Sequence, residues 1–398
     1  MFDFIVIGGG AAGMAAAIEF KRLRPQLQVA VIERLDRVGK KLSITGNSRC
    51  NITNRNISLG NYNGENPEFC LPSLKGFSVE DTENFFADLG VIFKTEKEGK
   101  VYPYSLQASS VVDALRFGAE RLGVAIIPNT EITKIIPKGN KFCLISKDKE
   151  YYCHAVLLAT GGKAGGKIAT DSGYGLLKAL GHRLTPLSPA IVQVKTDTTY
   201  TRQLKGVKVN ATVNVGDKSD FGEVLFCDYG LSGPPILQLS RYMNKGDMIS
   251  LDLMPEYSED ELIDMLHRRM TDLNTTCGEF FCGMLQKRLG QVVLKQCGFS
   301  VNDMAAFNDS QIKNIAHTLK GMKFSYTDSN GFSNAQVTHG GIATADFNPE
   351  TLMSRKCRGL FACGEVLDID GDCGGYNLQW AWSSGVNAAR SAAEYLEG

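Results

Sequence analysis

The chain has no net charge: 43 Lys and Arg residues stand against 43 Asp and Glu among 398, without a long run of either sign. Such a surface lacks a broad attraction for polyanions, so neither nucleic acid nor an anionic membrane is expected as a main partner. No stretch is apolar for long enough to span a bilayer. The apolar start has no basic n-region and is interrupted by glycines and Glu19, so no secretory signal is expected. The eleven cysteines are scattered, odd in number and without a Cys-x-x-Cys pair, a pattern that predicts a reducing cytoplasm and mostly buried free thiols. The His and Cys positions lack metal-ligand spacing, so no metal is expected. Internal repeats and low-complexity segments are also absent.

What is present is concentrated in the first thirty-three residues. Residues 2–7 read as a strand, Gly8, Gly10 and Gly13 punctuate a turn, residues 14–22 are an alanine-rich helix former, and residues 28–32 are a second strand ending in Glu33. In such a unit Gly8 permits the tight turn, Gly10 lets the backbone approach a pyrophosphate, and Gly13 allows close packing of helix on strand. The phosphates lie on the helix N-terminus, where unpaired N–H groups and the dipole converge. Glu33 accepts hydrogen bonds from a ribose and repels a 2′-phosphate, which favours FAD or NAD over NADP at this site. The following polar, basic stretch, residues 34–54, suits a loop wrapping a phosphate-bearing ligand, with Lys40, Lys41 and Arg49 among the turn formers Gly39, Gly46 and Asn47.

Further on, helices are expected over residues 78–89, with Ser78 as N-cap and Asp81 as its partner, and over 108–122. Short strands are expected over 101–103, 124–127, 131–135, 141–146 and 150–153, followed by a fully apolar strand from Ala155 to the glycine turn at Gly161 and Gly162, the kind found inside a parallel sheet. From about residue 189 the pattern changes. Strands at 191–194, 207–215, 224–227 and 248–253 suit an antiparallel sheet or barrel, helices at 259–270, 277–289, 291–297 and 310–319 an all-α block, and 322–326 and 335–337 read again as strands. Residues 359–365 are a strand into a glycine turn, and 379–396 a small-residue helix. This order implies an insertion into a fold whose ends come together.

Three separated motifs resemble the two-dinucleotide-binding-domain flavoproteins: the opening glycines with Glu33, the segment Leu157-Leu158-Ala159-Thr160-Gly161-Gly162, and residues 359–370 with Gly374-Gly375-Tyr376-Asn377. More narrowly, the chain resembles the BaiN/RdsA-type family of FAD-dependent oxidoreductases, with its YhiN-like and aminoacetone-oxidase-like members. The marks are residues 39–51, the turn Gly230-Leu231-Ser232-Gly233-Pro234, and residues 364–381, in family order across almost the whole chain. The resemblance implies an α/β fold: a Rossmann-like FAD-binding domain split over 1–189 and 336–398, an inserted barrel-like antiparallel β domain over 190–257 and 320–335, and an inserted helical domain over 258–319.

It also implies a set of cofactor-binding residues. Gly8, Gly10, Ala11, Ala12 and Gly13 hold the pyrophosphate, with Glu33 and Arg34 at the adenosine. Lys40, Lys41, Leu42, Thr45, Gly46, Asn47, Arg49, Cys50 and Asn51 line the cofactor, and Ile132 supplies backbone contacts to adenine. Ala159, Thr160 and Gly161 pass under the phosphate arm, and Gly364, Glu365, Gly375, Tyr376, Asn377 and Leu378 reach the ribityl chain and flavin ring. Backbone N–H groups at a helix start stabilise the charge that gathers on a reduced flavin. The family's usual Phe-Thr-His before the second glycine turn reads Phe226-Cys227-Asp228 here, so a relative's substrate does not transfer directly.

No residue is singled out as catalytic. His339 is the most suggestive protein group, although a structural histidine is the commoner case. Asp228 and Tyr229 stand beside the second glycine turn, Tyr102 and Tyr104 flank Pro103 with packing as the default reading, and Cys50 has no resolving cysteine nearby. The expected activity is reduction, or the reverse dehydrogenation, of an activated C=C bond in a small organic substrate, with NADH or NADPH as a transient donor because no second dinucleotide fingerprint exists. A flavin amine oxidase using O2 is the enzymatic alternative, and a flavin-binding sensor or docking module the non-enzymatic one. An RNA-modifying flavoprotein ranks last, given the neutral charge.

Overall fold

Continuous runs of apolar β-formers build a seven-stranded sheet with Phe2–Ile7 inside it, flanked by parallel Val29–Ile32 and Glu150–Leu158. Phe4, Ile5 and Val6 are fully buried, as a strand covered on both faces requires. Ala125–Ile127 extends the parallel half beyond Val29–Ile32. The expected strands at 150–153 and from 155 onward are one. Its first part pairs antiparallel with Lys141–Ser146 and its last part pairs parallel with Leu360–Ala362, so a single strand joins hairpin to parallel sheet. The computed structural model describes residues 1–397, and the chain forms two compact units, Met1–Pro189 with the segment from Gln336 onward, and Ala190–Ala335.

In the first unit the helix Ala11–Leu23 buries Met14, Ile18 and Phe20, and Phe20 stacks on Phe4 with ring centroids 4.5 Å apart. Each such side chain contributes roughly 1.5–3 kcal/mol through burial. Its small residues let the terminal helix Tyr376–Tyr395 come close: a Cβ at Gly385 would stand 2.4 Å from the Ala12 carbonyl oxygen. That helix starts three residues before its expected start. Ser78 caps the helix Val79–Asp88 through a reciprocal pair of bonds with Asp81, as its sequence indicates. The helix Ser172–Ala179 was not expected from the sequence.

In the second unit six strands close a barrel, in the order Val194–Thr196, Gly230–Ser232, Lys218–Phe226, Lys208–Val215, Met248–Asp252 and Met322–Ser329. Lys218–Phe226 extends well beyond the expected 224–227. Its first residues are polar and mostly face solvent, which hides a strand from an apolar pattern, yet it pairs with Lys208–Val215 along its length around Gly216-Asp217. The glycine turn at 230–234 is a barrel strand followed by the helix Pro234–Leu239. Cβ atoms at Gly230 and Gly233 would stand 2.2 Å from the Val194 oxygen and 2.1 Å from the Glu223 oxygen, so these glycines admit neighbouring backbone.

The helical segment corrects the expectation for residues 277–289. Residues 277–286 form turns held by bonds from Cys277 N–H to the Asp303 oxygen and Gly278 N–H to the Val301 oxygen, both 2.8 Å. Phe280 and Phe281 are neighbours yet both are buried, with Phe280 edge-on to Phe307; this aromatic packing outweighs helical spacing. The helix Lys287–Gln296 then runs through Gly290, whose missing Cβ is where Phe281 packs, at 2.5 Å. With Glu259–Leu273 and Asp309–Lys320, it shares one apolar cluster with the barrel. Among the described residues no helix is long and apolar enough to cross a membrane.

Candidate functional site

The opening glycines are shaped by three different demands. Gly8, at φ +106°, lies so close to Ala159 that a Cβ would sit 2.5 Å from its carbonyl oxygen; at Gly13 a Cβ would meet the Gly8 oxygen at 2.0 Å. At Gly10, by contrast, a Cβ would meet nothing within 4 Å. Gly10 therefore faces open space at the start of Ala11–Leu23, as N-cap, without a side-chain acceptor for the first-turn N–H groups. Glu33 closes the turn from the next strand. Its carboxylate accepts from Gly9 N–H at 2.8 Å and Leu35 N–H at 2.7 Å, leaving acceptor capacity for further donors. Its backbone oxygen accepts from Thr130 N–H at 2.9 Å, two residues before buried Ile132.

The basic loop is less convergent than its composition suggests. Lys40 pairs with Asp36 one turn back, Arg49 with Glu96 at 2.7 Å, and Arg34 donates to the Ile168 and Ala169 oxygens. Lys41 alone among these cations binds the closing motif, Nζ to Glu365 Oε2 at 2.6 Å. The loop turns sharply: Gly46, Asn47, Ser48 and Cys50 all have φ near +60°. Three of these are not glycine, and such strained backbone persists only where its surroundings fix it. Leu42 and Cys50 are buried, and burial pushes the Cys50 thiol up to about 12, so it is no nucleophile. The Asn51 Oδ1 is buried without a partner.

The closing motif meets this loop through contacts distant in sequence. Gly364 stands beside Ala12, a Cβ there coming within 3.2 Å of its side chain, and its N–H donates to Ser384 Oγ at 2.9 Å. Glu365 Oε1 accepts from Thr338 N–H at 2.9 Å, and Thr338 Oγ1 accepts from Ala164 N–H at 2.9 Å. Gly375, at φ +103°, caps the terminal helix with no side-chain acceptor; a Cβ there would be 2.5 Å from the Thr53 oxygen and 3.0 Å from Asn51 Oδ1. The Asn377 amide is committed to the loop before it, bonded to Gly371 N–H and to the Gly371 oxygen, both 2.8 Å. Tyr376 is buried, and its carbonyl accepts from the Tyr62 hydroxyl at 3.2 Å. Leu378, in the same first turn, is half-buried.

Other predicted groups are described by their own neighbours. Tyr104 is 70% exposed, and Tyr102 lies under the Arg49 guanidinium, 4.2 Å from ring centre to carbon. The Thr160 side chain packs against Gly173 in Ser172–Ala179, while Gly161 faces open space. In the second unit, exposed Asp228 pairs with Lys205 at 2.6 Å, which holds its carboxyl below the usual range. It borders a cleft of about 440 Å³ with Tyr229, Lys195 and Arg202. Thr338, Asp370 and Gln379 lie within or beside recognised motifs but had no role assigned from the sequence. Gln379 accepts from Thr53 Oγ1 at 2.6 Å and donates to Thr82 Oγ1 and Ser383 Oγ, all buried. Its signal was present: amide and hydroxyl four residues apart on an otherwise apolar helix face.

Two glycine-capped helix starts, open space at Gly10 and Gly161, and the orphaned Asn51 oxygen fit a flavin dinucleotide. Fold and cradle together define the class, a flavoprotein oxidoreductase with a Rossmann-type FAD-binding domain. Residues 2–391 match the family model for the HI0933-like protein Rossmann domain, and the chain belongs to that family. It is 36% identical to a 3-dehydro-bile acid delta(4,6)-reductase of Clostridium scindens across 98% of each chain. It is also 28% identical to a ribosomal RNA dihydrouridine synthase of Haemophilus influenzae across 97% of each. In fold it resembles a 3-ketosteroid-delta4-(5alpha)-dehydrogenase of Rhodococcus jostii, with TM-score 0.51 and 16% identity over 98% of this chain and 96% of the other.

Proposed function

We propose that the protein uses FAD to reduce an activated C=C bond in a small organic substrate, with NADH or NADPH refilling the flavin by transient binding. The observation that carries this reading is the full-length likeness to a reductase of 3-dehydro-bile acids. Bound FAD supplies hydride transfer. Within the chain, the opening glycines and the loop with Lys41 hold the phosphate arm, and the first-turn N–H groups of Tyr376–Tyr395 stabilise charge at the flavin ring. Anaerobic addition of NADH or NADPH is expected to bleach the flavin band, and an enone to restore it. Substrate-dependent peroxide release without bleaching by either nucleotide points instead to an amine oxidase.

A second reading concerns RNA. Two relatives, from Haemophilus influenzae and Escherichia coli, are named ribosomal RNA dihydrouridine synthases and align at 28% and 29% identity. Dihydrouridine is uridine with the base C=C bond saturated, the same bond type with a different carrier. Neutral overall charge weighs against a large RNA footprint. Dihydrouridine formed by the reduced protein in ribosomal RNA, with no enone reduced, decides for RNA.

A further inference from the structure

The start of the terminal helix holds two kinds of unmet hydrogen-bonding capacity side by side. Gly375 caps Tyr376–Tyr395 without a side-chain bond, so the first-turn N–H groups have no side-chain acceptor. Next to them lies an acceptor without a donor: Asn51 is 8% exposed, and its Oδ1 is buried with no hydrogen-bond partner. A Cβ on Gly375 would stand 3.0 Å from that oxygen, so the missing side chain leaves the carboxamide beside the helix start. The positive end of the helix dipole favours an oxygen there. A buried amide oxygen left unpaired is destabilising, and its presence in a fold calls for a reason.

Three other carboxamides surround the same helix start, and all are committed within the protein. Asn54 donates to the Gly374 oxygen and accepts from Asn56 N–H, both at 2.9 Å. Asn377 holds both backbone groups of Gly371, and Gln379 is shared among Thr53, Thr82 and Ser383. Among the described residues, Asn51 alone of these four keeps an oxygen without a partner. Its place is nevertheless fixed. The next residue, Ile52, donates to the Val101 oxygen at 2.8 Å and accepts from Trp382 Nε1 at 2.9 Å, and Thr53 Oγ1 donates to Gln379 at 2.6 Å. An amide held in position with its oxygen unmet is preorganised for a ligand.

A carboxamide presents an acceptor and two N–H donors in one plane, so its complement is a group of the same kind, a carbonyl beside an N–H. FAD carries that pattern on its isoalloxazine ring, where N3–H lies between the C2 and C4 carbonyls. The ribityl chain offers hydroxyls and the pyrophosphate only acceptors. Adenine also pairs a donor with an acceptor, but it gains no charge on reduction for a helix start to stabilise, whereas the flavin ring does. We propose that the Asn51 carboxamide reads the imide edge of the flavin, Oδ1 accepting from N3–H and Nδ2 donating to a neighbouring carbonyl. The assignment rests on the cradle holding FAD and is independent of the substrate. N3–H and both carbonyls are present in oxidised and reduced flavin alike, so Asn51 strengthens binding in both states and leaves the reduction potential nearly unchanged.

The test pairs the side chain with a flavin that lacks the hydrogen. The full-length protein is stripped of cofactor and reloaded with FAD or with N3-methyl-FAD, and affinity is read from flavin fluorescence. Wild type is expected to prefer FAD by about 10- to 100-fold. In Asn51→Ala, FAD is expected to bind about 10- to 100-fold more weakly, and the two flavins to bind within about threefold of each other. Asn51→Asp keeps an acceptor of the same shape and is expected to retain the preference for FAD. The midpoint potential of FAD-loaded Asn51→Ala is expected to stay within about 15 mV of wild type, a threefold difference between the two states at about 30 mV per tenfold. Equal binding of both flavins by wild type overturns the assignment, a comparison that needs no substitution. So does a preference that survives unchanged in Asn51→Ala, because the methyl group then meets another part of the site. A fall in midpoint with unchanged affinity for oxidised FAD also overturns it, since only a partner of N5, which gains hydrogen on reduction, acts in that way. If wild type binds no FAD, the cradle reading fails and takes the assignment with it; a preference for FAD that is lost in Asn51→Ala supports both.

Discussion

The opening turn and the closing loop each set a glycine-capped helix at the cradle, but they are held in different ways. The opening turn is mostly local. Gly8, Gly13, the strand before them and Glu33 lie within one βαβ unit, and the backbone fits because side chains are missing, at Gly13 against the Gly8 oxygen and at Gly8 against Ala159 of the adjoining strand. The closing loop is held by partners about three hundred residues away: Lys41 on Glu365, Thr53 on Gln379, and the Ile52 oxygen on Trp382 Nε1 at 2.9 Å. One end thus depends on steric permission and the other on a buried hydrogen-bond lattice, so they should fail differently.

Gly13→Ala is expected to do the most damage. A Cβ 2.0 Å from the Gly8 oxygen forces helix and turn apart, at roughly 1–3 kcal/mol or more, and the purified protein should lack FAD by absorbance. Gly375→Ala comes next: a residue at φ +103° costs on the order of 1–2 kcal/mol, and contact with the Thr53 oxygen adds to it. If the two ends are independent, this variant should keep the parallel sheet, seen as an unchanged far-UV spectrum, and bind flavin weakly. Gln379→Leu strands buried hydroxyls and should lower the unfolding free energy measured by urea titration by about 1–3 kcal/mol, with little effect on the opening turn.

A subtler contrast lies in pH. Burial raises the Asp368 carboxyl above its ordinary value, so the folded chain holds that proton after the unfolded chain has lost it. Its contribution to stability is therefore greatest below the ordinary carboxylate range and declines as pH rises through the folded value. Asp368→Asn should remove that slope from melting temperature against pH. The smallest effect concerns thiols: exposed Cys282 and Cys373 should react with a thiol reagent in the native protein while Cys50, pushed up to about 12, stays inert until unfolding.

This contrast also explains what the sequence made legible. The opening unit was readable because most of its pattern falls within one window: the strand, the helix, Glu33 and the turn glycines, although the close approach of Gly8 to Ala159 comes from the adjoining strand. The closing motif was recognisable as a pattern that includes Asp370, yet Asp370 and Thr338 had no role legible in it, since their partners His339, Ala164 and Glu365 come together only in the fold. The basic loop was read as converging on a ligand, but charge in sequence does not reveal which carboxylate each cation meets, and Lys40, Arg49 and Arg34 all found protein partners. Residues 277–286 were misread because Phe280 and Phe281 with Met284 and Leu285 recur three and four residues apart, as on a helix, while the two adjacent rings are both buried in an aromatic cluster.

The contact of Gly385 with the Ala12 carbonyl has a consequence in time as well as in space. About 370 residues separate the two positions, and at roughly 5–20 residues per second a ribosome needs about 20–75 seconds to make them. For that interval the first helix exists without the surface that covers Ala12, and the nucleotide site has only one of its two ends. With the site as proposed, cofactor loading is expected late, and a chaperone or free FAD acting during synthesis would meet a half-built pocket.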